Sequence, residues 1–75
     1  MPGKREEAMS DAIWYYGKDG RENVYEADGH IYLKGKVLYT VRGGNWHEPG
    51  SGKRLFRRVG KWMRTAAGEN AYWTN

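Results

Sequence analysis

Cysteine is absent from the 75 residues. That excludes a disulfide framework, a thiolate zinc site and thiol chemistry. Small domains in oxidising compartments usually rely on such crosslinks, so a reducing, cytoplasmic setting is expected. Long apolar runs are missing too. No window approaches the ~18 apolar residues of a membrane span, and MPGKREEAMSD (1–11) lacks the apolar stretch of a signal peptide. No membrane partner is therefore expected. Residues 1–11 read as a loose N-terminal tail ahead of one small domain over 12–75. Histidine is limited to His30 and His47. Asp28 and Glu48 beside them do not complete a ligand spacing, so neither metal nor cofactor is expected. Asp19 and Asp28 read as turn residues, and Glu22 and Glu26 as solvent-facing strand positions. No catalytic set emerges, and the chain is expected not to be an enzyme. A nuclease built on His47 and Glu48 is the one catalytic arrangement the residues leave open.

Acids are scarce in the last third. Residues 51–75 hold six Lys/Arg against Glu69 alone, whereas residues 1–50 hold seven against eight Asp/Glu. All six cations fall between Lys53 and Arg64. A dense run of one sign points to a polyanionic partner: nucleic acid, an acidic protein face or anionic lipid.

Aromatics are what the chain has in plenty, with four Trp, six Tyr and one Phe. Most must supply core in so small a domain, and Trp14, Tyr16, Tyr25, Tyr39, Phe56 and Trp62 are the expected core set. Tyr15, Tyr32 and Trp46 are surplus. Trp46, in a Gly-rich loop beside the basic run, is placed either to seal the core edge or to stack on a base.

Asp19-Gly20 separates IWYY from NVYEA, and Asp28-Gly29 separates NVYEA from HIYL. Asp-Gly between aromatic and β-branched runs signals hairpins. In KVLYTVR (36–42), Val37, Tyr39 and Val41 alternate with Lys36, Leu38, Thr40 and Arg42; the first set is assigned to the core face and most of the second to solvent. The expectation is an antiparallel β-meander over 12–42. HEPGSGKRLF (47–56) superficially resembles a phosphate loop, but His47 stands where the first glycine is required and Arg54 where Ser or Thr must follow the lysine. Residues 43–52 therefore read as a flexible connector.

From Leu55 the apolar positions are 55, 56, 59, 62, 63, 66 and 67. Intervals of three and four favour a basic amphipathic helix over 53–67, with Ser51 as N-cap and Gly68 as stop signal. The expected fold is α+β, with the meander packed against this C-terminal helix. Gly60 opposes that choice. The alternative is a strand pair broken at Gly60, making an all-β small barrel of five or six strands.

The segment GKVLYTVRGG…SGKRLFRRVGKWMRTAAGENA resembles small sheet-plus-helix DNA-binding modules such as the arm-binding domain of phage-type integrases and the plant-type AP2 domain. The likeness covers about half the chain, rests on spacing and composition, and does not establish membership. It implies a strand over 53–63 and a helix starting near Thr65.

The function expected from these features is nucleic-acid binding, DNA before RNA and duplex before single strand, in a regulatory or architectural accessory role like that of phage or mobile-element excisionases. Lys53, Arg54, Arg57, Arg58, Lys61 and Arg64 supply phosphate contacts. Arg42, Lys36 and Trp46 add secondary ones. The runner-up is a protein-binding module, such as a phage-type inhibitor, that sets the basic face against an acidic partner. A membrane-surface helix ranks below both. The chain is expected to be a monomer or homodimer; unpaired strand edges are the argument for the latter.

Overall fold

A computed structural model describes residues 12–75, and the expected N-terminal tail lies outside them. Eight strands follow one another: β1 (Ile13–Gly17), β2 (Val24–Ala27), β3 (His30–Leu33), β4 (Lys36–Arg42), β5 (Asn45–His47), β6 (Arg54–Val59), β7 (Trp62–Thr65) and β8 (Asn70–Trp73). Each pairs antiparallel with the next, and β8 returns to β1, so the sheet is a closed barrel.

Turn chemistry sets this meander. Asp28-Gly29 joins β2 to β3 with φ of 52° and 76°, the doubly positive pair that a two-residue I′ hairpin needs. Lys34-Gly35 and Gly43-Gly44 make equally short turns. The β1–β2 loop is longer and folds tightly over the end of β1. A Cβ on Gly17 would lie 2.0 Å from the Arg21 carbonyl oxygen, so only glycine fits there. The seam between the first and last strands is pinned by Thr74, whose hydroxyl donates to the Trp14 carbonyl at 2.8 Å. Lys18 N–H also donates to the Ala71 carbonyl at 2.9 Å.

An eight-stranded barrel has an interior just wide enough to be filled by side chains. Here Trp46 fills the centre, fully buried among Tyr15, Tyr39, Phe56 and Tyr72 with ring centroids 4.9–5.8 Å away. Val24, Ile31, Met63 and Ala71 complete the core. Burying one such indole removes some 150–250 Å² from water, which contributes about 4–6 kcal/mol. Its Nε1 has no protein hydrogen-bond partner, which offsets about 1–3 kcal/mol of that gain.

The α+β expectation is corrected: among the described residues there is no helix, and the small-barrel alternative fits, with eight strands in place of five or six. Residues 53–67 are the β6–β7 hairpin. The helical spacing has a physical origin. Val59 and Trp62 are cross-strand partners around the two-residue turn Gly60-Lys61, so a pair on one face is three apart in sequence. Leu55 lies at a register shift between β5 and β6, which puts it next to the inward Phe56. Gly60, with φ of 61°, is the first turn residue. Ser51 caps no helix; its hydroxyl donates to Glu48 and accepts from the Lys53 N–H within the β5–β6 loop. The helix implied near Thr65 by the DNA-binding resemblance is replaced by a turn at 66–69 and β8.

Several core assignments also change. Tyr39 and Phe56 pack against the core as expected. Tyr15 is inside and Trp14 is 43% exposed, so β1 faces opposite to the expected way. Tyr25 is paired with Trp14 and Tyr32 on the outer wall. A register shift at Ile31/Tyr32 turns Val37 outward, 46% exposed, while Leu38 packs against the core. Such a bulge reverses side-chain parity within one strand. Closure leaves no free strand edge among the eight, which removes the edge-based argument for a dimer.

Candidate nucleic-acid interface

The barrel wall is electrically divided. Residues 36–65, forming β4 to β7, carry eight Lys/Arg and one acid, Glu48; residues 12–35 carry three against four. Among the described residues the ion pairs are Lys18–Asp19 and Lys34–Glu22, both in the first half. No carboxylate of the described residues pairs with a cation between Lys36 and Arg64.

Pleating decides which cations act together. On β6 and β7, Arg57 stands directly opposite Arg64 on the outer wall. Like charges opposite each other destabilise a sheet. Two guanidinium groups held in register without an acid are thus a local cost for the fold. Arg64 is oriented by its Nε–H, which donates to Asn70 Oδ1 at 2.9 Å. Arg54, Arg57 and Arg64 line one cleft of about 270 Å³, closed by Thr65, Ala66 and Gly68. Three arginines lining one small cleft are suited to a phosphate, which a guanidinium can meet through two N–H donors.

The remaining sequence candidates are dispersed. Lys53 is exposed just before β6, and Lys61 is exposed in the turn at the opposite end of the hairpin. Lys36 is exposed at the start of β4. Arg42 lines a separate cleft with His47 and Glu48, where a carboxylate is close by. Arg58 belongs to the inward row, opposite the buried Met63. Its Nη1 donates to the Tyr15 hydroxyl at 3.0 Å and its Nε to the Gly60 carbonyl at 3.0 Å. Tyr15 in turn donates to Glu26 Oε1 at 3.1 Å. The Arg58 guanidinium is thus engaged in hydrogen bonds within the fold. Burial, followed by the Glu26 charge, raises the Tyr15 pKa; Arg58 opposes both. Trp46, buried at the centre, has no face to offer a base.

The potential nuclease pair is likewise engaged locally. His47 Nδ1 donates to the Gly52 carbonyl at 3.0 Å, and Glu48 accepts from Ser51. Among the described residues no three His, Asp or Glu side chains converge as metal ligands do.

A feature hidden from the sequence adjoins the arginines. Tyr16, Trp73 and Trp62 occupy matching outer positions on β1, β8 and β7. Tyr16 and Trp73 rings are 4.8 Å apart, and Trp73 is 39% exposed. The sequence assigns Tyr16 and Trp62 to the core, and the strand register corrects both to the outer wall. The one signal that reveals them is the Gly60-Lys61 turn: once it is placed, Trp62 and Arg64 must share the outer face.

A larger cleft of about 580 Å³ lies on the other half, between the β1–β2 loop and the Trp14–Tyr25 wall. Its rim holds Arg21, Lys34 and Glu22; Lys34 is paired with Glu22, so among the described residues Arg21 is the one unpaired charge there, against three arginines at the smaller cleft. Size alone makes it prominent, whereas charge favours the smaller cleft for an anion. Comparison of the chain with family models, curated proteins and solved structures yields no match.

Proposed function

We propose that the chain binds nucleic acid through the outer wall of the β6–β7 hairpin. The observation that carries this reading is the meeting of Arg54, Arg57 and Arg64 at one cleft, with none of the three paired to a carboxylate of the described residues. Arg57 opposite Arg64 is unfavourable for folding alone, and a phosphate between them turns that repulsion into attraction. Lys53 adds charge beside the cleft. The proposed role is phosphate binding without catalysis, since neither histidine lines the arginine cleft.

The test is an anisotropy titration with labelled oligonucleotide over a salt series. Three phosphate contacts on a single strand give log K against log salt a slope of about −2, or roughly a 20-fold loss between 50 and 200 mM. Arg57→Ala and Arg64→Ala should each flatten the slope by about 0.7; Arg57→Ala should leave stability equal or slightly higher, because the like-charge pair is relieved, whereas Arg64→Ala also gives up the hydrogen bond to Asn70. Absence of binding at low salt would refute nucleic acid as the ligand and favour an acidic protein face, the competing occupant of the same wall.

A further inference from the structure

Resting on that reading, we infer that the ligand is a single strand whose bases stack on Trp73 and Trp62 while its phosphates meet Arg64 and Arg57. Four observations lead there. Trp62 and Arg64 are two residues apart on the outer face of β7, about 7 Å along the strand, so a stacking surface and a phosphate ligand stand side by side. Trp73 presents an exposed face, and contact with Tyr16 at 4.8 Å holds its ring in place before any ligand arrives. Fixing an aromatic in advance lowers the entropy lost on binding.

The third observation concerns shape. The wall is convex, with a two-residue turn at Gly60-Lys61, and among the described residues no helix or long ribbon projects to enter a groove. A duplex would touch the arginines through its backbone but would keep its bases stacked on each other, leaving the Trp73 face uncovered. The duplex expected from a basic helix loses its basis with that helix.

The fourth is a contrast within the molecule. A second aromatic row, Trp14–Tyr25–Tyr32, crosses β1 to β3 with ring centroids 5.1 and 5.3 Å apart. It lies in the half where acids match or exceed cations and beside the Lys34–Glu22 pair. A polyanion gains little there. The row on β8 and β7 runs into three arginines without a carboxylate partner among the described residues, against Arg21 alone beside the other row, and the charge balance selects it.

The test uses oligothymidylate as the single strand and a mixed-sequence duplex of equal length, each titrated against wild type, Trp73→Leu and Trp73→Phe. All three proteins are first matched for folding by far-UV circular dichroism and urea unfolding. Expected are tighter binding of the single strand, quenching of tryptophan emission on its addition, and roughly a tenfold loss in Trp73→Leu. Trp73→Phe should retain most of the affinity, which separates stacking from mere apolar packing. Equal or tighter duplex binding that is unchanged in Trp73→Leu would overturn this inference and leave the phosphate reading intact. No binding of either probe at low salt would overturn both.

Discussion

Gly60→Ala separates the barrel from the helical alternative by sign. In a helix interior, alanine is favoured over glycine by about 1 kcal/mol, so the substitution would stabilise. In the barrel Gly60 has φ of 61° at the first position of the β6–β7 turn. A Cβ added there meets nothing within 4 Å, so no clash contributes. The cost is purely that of an L-residue at positive φ, about 1–2 kcal/mol. For a domain of this size that lowers the thermal midpoint by roughly 4–16 °C. The measurement is thermal and urea unfolding followed by tryptophan fluorescence, with Trp46 as an internal reporter of the core. D-Alanine at position 60, introduced by chemical synthesis, should recover the loss, because its preferred φ is positive. A Gly60→Ala protein as stable as wild type, or more so, would refute the hairpin and with it the Arg57–Arg64 register.

Tyr15→Phe removes the hydroxyl linking Arg58 to Glu26 and should cost about 1–2 kcal/mol in urea unfolding; no change would mean the relay contributes nothing. Arg58→Ala should also destabilise, by about 1 kcal/mol, yet leave the salt slope of oligonucleotide binding at its wild-type value, unlike Arg57→Ala. Burial raises the Tyr39 and Tyr72 pKa values above the ordinary 10.0, partly opposed by Arg21. The native state therefore keeps phenolic protons that the unfolded chain has released. Their contribution is whole below about pH 10 and is lost as pH rises through the native values. Stability should be flat from neutral to mildly alkaline pH and fall above it, with Tyr39→Phe falling less steeply; phenolate absorbance appearing at its free-solution pH in the folded protein would contradict this.

What could be read from the chain depended on whether a signal was local. Asp28-Gly29 specifies its own turn through two positive φ values, and the hairpin it implies is present. The charge asymmetry is a count and survives any fold. Parity is different, because it accumulates along a strand and one extra residue inverts it. Val37 and Tyr39 are separated by two, yet the register shift opposite Ile31/Tyr32 sends the first outward and keeps the second inside. Trp46 looked like a loop residue because glycines precede it and a Gly/Pro-rich loop follows, but a strand of only three residues suffices to carry it to the barrel centre.

The same reasoning explains why the spacing of the arginine run suggests a helix that the fold does not contain among the described residues. In a helix, Arg54, Arg57, Arg58, Lys61 and Arg64 would share one face. In the hairpin, Arg58 falls on the inner row and becomes a structural donor, Lys61 goes to the turn, and Arg54, Arg57 and Arg64 remain together outside. Fewer cations converge than the helix would offer, but their spacing is now fixed by two strands and a defined register. The turn that puts Arg58 on the row of Met63 also brings Trp62 alongside Arg64. A helix would have buried that tryptophan against the sheet and exposed charge alone, which suits a duplex backbone. The hairpin places charge and aromatic surface next to each other, and that pairing is the basis on which we propose a single strand over other polyanions.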